Sequence, residues 1–303
     1  MSTIYHANCE YALPPVKEHP ECNIPILYRV VFNFTRSDGA EYIAYLSQVE
    51  IFHKAILRSK LDFVFTTGFN PLPRLEFACA MTLGIPSMQE TASVYLYEMC
   101  DEKTFIDSLN AVLPSNFCIT DAYIFPVTNM RKRESLSSSL WGCKYSYEIF
   151  SEFDAASFFK SKAFTDFKNK YPQAEFYSEN ENDSSAINYY SFTADLPSSD
   201  KNFRLCLEEF FNAKWFEICK IVKIKTLAKD EVTGWTASDE HKWRYDNKNF
   251  RKDGNENHSN SDKEETVKSP VEFFDLYKKI ALVNKELIEE RRITDLEIQN
   301  KNN

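Results

Sequence analysis

The stretch LYRVVFNFT at Leu27–Thr35 is the clearest single element of the chain, because it is dense in β-branched and aromatic residues. Such a run predicts a strand. Downstream, Ser47 and Glu50 have the spacing of a capping box, so we expect a helix to begin at Ser47. The first half of the chain therefore opens on a strand followed by a helix.

The elements after this helix complete the first half. Extended segments are predicted at Asp62–Thr66, Arg74–Ala80, Ala92–Glu98 and Phe117–Phe125. Asp101 is placed to cap a second helix, which Pro114 ends. We interpret the order as strand, helix, two strands, helix, strand, which is the ferredoxin-like arrangement.

The same order of elements occurs a second time. Extended segments are predicted at Cys143–Phe150, Ala174–Tyr177, Ile187–Leu196 and Trp215–Lys225. Asp154 and Asn202 are placed to cap the two helices that lie between them. The sequence therefore predicts an α+β fold of two tandem ferredoxin-like (βαββαβ) lobes, at residues 26–126 and 140–228, joined around Pro126–Ser139.

Both ends of the chain differ in composition from the lobes. Residues 1–25 are interpreted as an irregular arm, with prolines at positions 14, 15 and 20. Residues 246–269 are almost wholly polar, so we expect a disordered linker. Residues 270–299 predict an amphipathic C-terminal helix that packs on the body or holds a partner helix. Its apolar stripe consists of Phe273, Leu276, Tyr277, Ile280, Val283 and Leu287.

Charge, hydropathy and cysteine usage limit the classes of protein that fit. The formal net charge of -9 argues against binding to nucleic acid by bulk electrostatics. No stretch approaches the roughly 18 apolar residues that span a bilayer, and the N-terminus lacks the pattern of a secretory signal. The cysteines are scattered, without the tight spacing of an iron–sulfur site. We expect a cytoplasmic protein with no cofactor and no membrane partner, whose cysteines act as small buried hydrophobic residues.

The segment TTGFNPLPR at Thr66–Arg74 is the most informative candidate site. Gly68 permits a positive φ, while Asn70 and Leu72 each precede a proline and are held extended. The loop is therefore stiff, and it ends by presenting Arg74, whose planar charged group suits carboxylate or phosphate. Two interpretations stay open: a recognition surface, or a rigid crossover between strands.

The stretch Tyr42–Leu96, which contains this loop, resembles the radical-SAM-linked protein family, a domain of unknown function found beside or fused to radical-SAM proteins. The similarity runs from the first helix through Gly-Phe-Asn-Pro-x-Pro-Arg and on to Leu83-Gly84-Ile85. It implies an accessory protein, not an independent enzyme, that docks to a radical-SAM protein and helps to present its substrate. The residues to which it gives a partner- or substrate-binding role are Gly68, Phe69, Asn70, Pro71, Pro73, Arg74 and Gly84.

The chain departs from the family pattern just before the first helix. Relatives usually carry Leu-Ser-His-Leu-Asp, whereas this chain reads IAYLS at Ile43–Ser47. Tyr45 and Ser47 thus replace a histidine and an aspartate, the pair best suited to proton transfer. If that pair performs chemistry in relatives, this chain has lost it. If it only caps a helix, Ser47 serves equally well.

A run of lysines in the last predicted strand favours a different class of function. The run consists of Lys220, Lys223, Lys225 and Lys229. With exposed aromatic residues, and with the basic stretch Arg131–Arg133, it predicts an RNA-binding protein acting on tRNA, rRNA or a ribosomal particle. The competing interpretation is a solvated sheet edge that lysine protects against aggregation. A third hypothesis, a metal-independent RNA-processing enzyme, rests on fold analogy alone.

Histidines offer little further chemistry. His53 lies on the first predicted helix, where a partly buried, hydrogen-bonded histidine is the usual finding. The N-terminal arm repeats a His-x-x-Cys spacing that would give four ligands for tetrahedral zinc. Because this is not a standard finger spacing, a fortuitous pattern is favoured and we expect no metal. The four zinc candidates are His6, Cys9, His19 and Cys22.

Overall fold

A computed structural model describes residues 18–19, 22–66, 69–128, 135–178, 189–230, 269–282, 284–285 and 288–289. Most of the predicted N-terminal arm, the basic stretch Arg131–Arg133, Gly68 and nearly all of the predicted polar linker at 246–269 lie outside these residues. The strands are β1 (Glu18–His19), β2 (Cys22–Arg36), β3 (Glu76–Phe77), β4 (Ser87–Leu96), β5 (Phe117–Thr128), β6 (Leu140–Phe150), β7 (Glu175–Ser178), β8 (Tyr189–Pro197), β9 (Cys219–Ala228) and β10 (Val271–Glu272).

The helices are mostly short. After a 3-10 turn at Ala40–Tyr42, they are α1 (Tyr45–Arg58), α2 (Glu102–Asn110), α3 (Leu136–Ser139), α4 (Ala155–Phe159), α5 (Lys162–Lys170), α6 (Lys201–Phe211), α7 (Trp215–Ile218) and α8 (residues 273–282).

The ten strands of the described residues belong to one mixed sheet, whose main path runs β1-β2-β4-β9-β6-β8-β7. β5 pairs with β2, β3 with β4, and β10 with β9. The pairings are antiparallel except that β4 and β9 run parallel, where Ser87 lies opposite Lys223. This large mixed sheet with helices confirms the predicted combination of α and β structure. The β4–β9 junction is the seam at which the first half of the chain, through β5, meets the second half.

β2 shows why the opening stretch is decisive. Val30 and Phe32 face α1 and α2, where Phe32 lies 6.3 Å from Phe52 and 5.5 Å from Phe105 between ring centroids. Val31, on the opposite face, packs in the core that α8 covers. Since both faces of β2 are buried, its apolar character is nearly continuous, as expected for a central strand.

The second half has its own apolar core beneath its helices. Tyr147 on β6 stacks on Phe192 of β8 with ring centroids 4.9 Å apart, and Phe203 of α6 meets Tyr147 edge-on at 5.1 Å. Aromatic pairs in these geometries add stability beyond the area that they bury. On the opposite face of the sheet, Lys144 of β6 pairs with Asp195 of β8, and Lys220 of β9 pairs with Glu148 of β6, so this face carries charged side chains.

Two of the predicted helix caps are aspartates, and both are observed in the structure. Thr104 N donates to Asp101 Oδ1 at 2.8 Å, and Ser157 N donates to Asp154 Oδ1 at 3.0 Å, which confirms both predicted caps. The capping box at Ser47 is wrong: α1 begins two residues earlier, after Ala44. Its start is fixed instead by the buried Gln48 amide, which donates to the Ile43 carbonyl oxygen at 2.6 Å.

Three further predictions need correction. The predicted cap Asn202 instead lies in the first turn of its helix, because α6 begins at Lys201 and the residue in the cap position is Asp200. The segment Asp62–Thr66 forms only isolated bridges at Phe63 and Phe65. The predicted strand Trp215–Lys225 begins as the helical turn α7, because the Glu217 carboxylate accepts from the Lys214 backbone N–H at 2.9 Å and closes that turn.

The described part of the C-terminal helix packs on the body of the protein. Phe273, Leu276 and Tyr277 are fully buried against the face of the sheet that includes Leu27 and Val31. β10, directly before the helix, pairs with the end of β9 and fixes where the helix begins. Of the other three stripe residues, Ile280 is also buried, while Val283 and Leu287 lie outside the described residues.

Candidate functional site

The predicted recognition loop protrudes beside the edge strand β3, between Thr66 and Arg74. Thr66 N donates to the Leu72 carbonyl oxygen at 2.8 Å, and Leu72 N donates back to Thr66 Oγ1 at 3.0 Å. Arg74 N donates to the Val64 carbonyl oxygen at 2.8 Å. The base of the loop is therefore a braced hairpin, which limits the conformations that its tip can adopt.

The tip of this loop is exposed. Phe69 is fully exposed, and Asn70, Pro71 and Leu72 are exposed beside it. Pro73 is buried and anchors the returning strand. A large aromatic side chain that is held in water at the end of a braced loop can enter a pocket of a partner without first being ordered.

Arg74 does not share the tip with Phe69. It is half-buried, and its guanidinium lies over the Tyr95 ring, 5.2 Å from the centroid. Arg29 lies 5.5 Å from the centroid of the same ring and 4.7 Å from that of Tyr277 on α8. Burial would lower the pKa of Arg29, but the facing tyrosines and Glu76 hold it above its ordinary value. Arg74 thus belongs to the contacts that hold the C-terminal helix as well as to the loop.

Gly84 has a packing role at the seam. Its φ of +80° lies in the region that favours glycine, and its N–H donates to the Glu41 carbonyl oxygen at 2.8 Å. A Cβ at this position would meet the Trp215 ring of the second half at 3.6 Å. Gly84 therefore joins the 3-10 turn before α1 to α7, and it is separate from the loop tip.

A buried polar cluster lies at the same seam, and the sequence did not reveal it. Lys223 Nζ donates to Glu90 Oε2 at 2.6 Å and to Cys79 Sγ at 3.3 Å. Lys223 is 4% exposed and Glu90 is 3% exposed. Glu90 comes from β4 and Cys79 from the segment after β3, while Lys223 comes from β9, so the cluster links the two halves. We call Cys79, Glu90, Lys223 and Cys143 the seam cluster.

The thiols of the seam cluster differ in acidity. The hydrogen bond with Cys143 lowers the pKa of Cys79 to about 7, and the Lys223 charge adds to this effect while burial opposes it. The same thiol–thiol hydrogen bond, together with burial, raises the pKa of Cys143 well above its usual range. Burial would lower the pKa of Lys223, but the two thiols and Glu90 raise it well above its ordinary value. Cys79 is therefore the thiol of the pair that ionises near neutral pH.

Arg36 adds a second buried cation beside the seam cluster. It is 1% exposed, and its Nη2 donates to the Thr82 carbonyl oxygen at 2.7 Å and to the Ile85 carbonyl oxygen. Its Nε and Nη1 have no hydrogen-bond partner among the described residues. Burial lowers the pKa of Arg36, and the nearby Glu90, Glu41 and Cys79 oppose that shift. Two cations therefore share one fully buried carboxylate at this seam.

Tyr45, which stands where relatives usually carry a histidine, also lies near this region. The centroid of its ring lies 6.0 Å from that of the Phe77 ring, and Phe77 precedes Cys79 by two residues in the chain. Burial and the nearby Cys79 raise the pKa of Tyr45. Ser47 is exposed in the first turn of α1. Neither residue forms a proton-transfer pair with a described histidine or carboxylate in the contacts observed.

The four predicted RNA-binding lysines do not share one surface. Lys223 points into the seam, while Lys220 lies 3.5 Å from Glu148 and Lys225 lies 2.6 Å from Glu272, each measured from Nζ to a carboxylate oxygen. Lys229 Nζ donates to the Ser138 carbonyl oxygen at 3.3 Å. Lys220 and Lys225 of β9 are therefore paired with carboxylates of the neighbouring strands β6 and β10. The sequence could have shown that Lys223 is buried. Side chains alternate between the two faces of a strand, and Cys219, Ile221 and Lys223 share the buried face of β9.

The metal candidates are only partly described. His6 and Cys9 lie outside the described residues, while the backbones of His19 and Cys22 pair across the β1–β2 hairpin. No group of three or more His, Cys, Asp or Glu residues in the described ranges is placed to hold a metal ion.

His53 is half-buried on α1, where burial lowers its pKa and the nearby Glu50 opposes that shift. Within the described residues, no helix is long and apolar enough to cross a membrane.

Comparisons with known proteins give one informative match. Three chlorite dismutase variants from Candidatus Nitrospira defluvii align at 9%, 8% and 10% identity, each over 64% of this chain. The alignments cover 86%, 90% and 89% of those chains, with TM-scores of 0.21, 0.20 and 0.20, which are too low to carry any argument. No curated protein matched the chain. Residues 29–186, just over half of the chain and including the loop, Cys79 and Cys143, match a family described as an uncharacterized protein conserved in bacteria, DUF2344, and the chain belongs to that family.

Proposed function

We propose that this chain is an accessory binding module, without independent enzymatic activity, that docks to a radical-SAM enzyme and helps to present that enzyme's substrate. The observation that carries the proposal is the braced loop with Phe69 fully exposed at its tip. The link to radical-SAM enzymes rests on the sequence resemblance over Tyr42–Leu96.

The physical case for recognition is one of ordering cost. Binding energy is lost when a mobile loop must be ordered, at about 0.5–1.5 kcal/mol for each immobilised side chain. Here the backbone of the loop is already fixed at Thr66, Leu72 and Arg74. Phe69 then acts as the aromatic anchor, a type of residue that dominates binding energy when it fills a pocket of a partner.

The finer architecture that we propose is a pair of tandem ferredoxin-like lobes. Within the first half, the strands lie in the order β5-β2-β4-β3, and within the second half in the order β9-β6-β8-β7. Numbered within each half, both orders read 4-1-3-2 and support the same plan of strand pairing. On this interpretation the loop is an insertion before the second strand of the first lobe, at residues 66–74.

The RNA-based alternatives, an RNA-binding protein acting on tRNA, rRNA or a ribosomal particle and a metal-independent RNA-processing enzyme, have less support. Phosphate binding requires lysines that are free to replace counterions. Lys220 and Lys225 face carboxylates, and Lys223 is buried against Glu90. The net charge of -9 adds a further cost to an RNA complex. No described contact favours these functions over docking to a protein.

The test is affinity purification of the chain from its native cell, with proteins and RNA both identified. Three forms are compared: the wild type, Phe69→Ser, and Phe216→Ser as a control at an exposed phenylalanine of the second half. We expect the wild type and the control to retain a radical-SAM protein and Phe69→Ser to lose at least tenfold of it. Equal retention by all three forms would contradict the role of the loop, and enrichment of a discrete RNA in its place would favour the alternatives.

A further inference from the structure

We propose that Cys79 and Cys143 form a redox-active thiol pair, in which Cys79 reacts with hydrogen peroxide and Cys143 then closes a disulfide across the seam between the two halves. This site is independent of the loop and of any docking partner. Neither the family match nor the sequence resemblance assigns a role to either cysteine.

The surroundings of Cys79 favour a thiolate. Lys223 Nζ lies 3.3 Å from Cys79 Sγ, and Arg36 is buried nearby. Glu90 supplies one negative charge against these two cations, so a thiolate on Cys79 would balance the buried charge. Peroxide reacts with thiolates and not with thiols, which makes the charge state of Cys79 the deciding property.

The two cysteines differ in the way that a reacting and a resolving cysteine must differ. Cys79 is only partly buried, whereas Cys143 is 1% exposed on β6. Of the two thiols, Cys79 is therefore the more accessible to a small oxidant. Cys79 packs against the apolar cluster that contains Cys143, and each thiol shifts the pKa of the other, so the second sulfur lies close to the first for the resolving step. Cys118, which is exposed and outside the cluster, provides an internal comparison.

The reaction balances in two steps. The Cys79 thiolate attacks one oxygen of hydrogen peroxide, so that an S–O bond forms, the O–O bond breaks, and the departing hydroxide takes a proton to become water. The Cys143 sulfur, losing its proton, then attacks the Cys79 sulfenic acid. An S–S bond forms, the S–O bond breaks and a second water leaves. Two thiols are oxidised by two electrons, peroxide is reduced to water, and a small dithiol reverses the change by thiol–disulfide exchange.

Oxidation would change the seam itself. A disulfide carries no charge, so Lys223 and Arg36 would be left with Glu90 as the single buried anion of the cluster. The new bond would also tie the segment after β3 in the first half to β6 in the second half. The site is thus a covalent switch located where the two halves of the sheet join.

The experiment uses the reduced full chain treated with hydrogen peroxide, then blocked with a maleimide and mapped by mass spectrometry. We expect a Cys79–Cys143 linked peptide, while Cys118 remains free to take the maleimide. In Cys143→Ser, Cys79 should stop at the sulfenic acid and be trapped by dimedone. Lys223→Met should slow oxidation of Cys79 about threefold or more because its thiolate fraction falls, whereas Lys220→Met, on the same strand, should leave the rate unchanged.

The wild-type protein alone can also contradict the proposal, so the test does not depend on whether a variant folds. If Cys118 is oxidised as fast as Cys79, then Cys79 has no special reactivity and the proposal is wrong. If Cys79 is oxidised but never linked to Cys143, the resolving role is wrong. Retention of the radical-SAM partner by Phe69→Ser would contradict the docking role and leave both of these results untouched, so the two proposals fail separately.

Discussion

Replacing Lys223 by methionine tests the most consequential contact of the seam. Methionine keeps most of the length and apolar stem of lysine but removes the ammonium group that bonds to Glu90 at 2.6 Å. Lys220→Met is the matched control, because Lys220 lies on the same strand and pairs with Glu148 at 3.5 Å on the exposed face. The two variants remove the same charge from β9 and differ only in burial.

The expected losses of stability differ several-fold. Removing one partner of a buried ion pair typically costs about 3–5 kcal/mol, because the other charge is left buried without compensation. Arg36 still acts on Glu90, so we expect the free energy of unfolding to fall by an amount near the lower limit, about 3 kcal/mol. An exposed pair contributes about 0–1 kcal/mol, which is the loss expected for Lys220→Met.

Urea unfolding followed by tryptophan fluorescence measures both losses at one pH. A third form, Glu90→Gln with Lys223→Met, also takes from the buried Arg36 the carboxylate that it shares with Lys223, so it should be no more stable than Lys223→Met alone. The reasoning would be refuted if Lys223→Met and Lys220→Met destabilised the protein equally. It would also be refuted if the double variant were clearly more stable than Lys223→Met.

Three further predictions concern the seam, the tail and the loop. Cys79 should titrate with a midpoint near pH 7, measured by thiolate absorbance in a form that keeps only Cys79 and Cys143 of the cysteines. Folding lowers the pKa of Cys79 from 9.0. The stability that its ionisation contributes is therefore complete above about pH 9 and is lost as the pH falls through about 7. The Cys79→Ser variant should not show this dependence of stability on pH. Phe273→Ala in α8 should lower the free energy of unfolding by about 3–5 kcal/mol, because Phe273 is fully buried. Urea unfolding measures this loss. A loss below about 1 kcal/mol would mean that α8 does not pack on the sheet. Arg74→Glu should cost about 1 kcal/mol through its contact with Tyr95, and an unchanged melting temperature would show that this contact contributes nothing.

Short-range signals in the sequence predicted much of the local structure. The caps at Asp101 and Asp154 depend on hydrogen bonds to residues three positions away, so composition and spacing suffice to find them. The exposed Phe69 at the end of a proline-stiffened loop was likewise predictable in kind, because stiffness follows from the residues themselves.

The seam cluster could not be predicted in the same way. Cys79, Glu90, Lys223 and Cys143 come from four separate segments, and only the register of β4, β6 and β9 brings them together. Scattered cysteines are by default small hydrophobic residues, and a lysine in a strand is by default solvated. The start of α1 failed for a related reason, because the buried Gln48 amide fixes it through tertiary packing that capping rules do not include.

The most direct measurement for the proposed function is photo-crosslinking from the loop tip. A benzoylphenylalanine placed at Phe69, and a control at Phe216, are each irradiated in the native cell, and the linked molecules are identified by mass spectrometry and RNA sequencing. We predict that the probe at Phe69 links to a radical-SAM protein and that the probe at Phe216 does not. Linkage of both probes to the same proteins, or linkage of the Phe69 probe to RNA alone, would contradict the proposal that this loop docks to an enzyme.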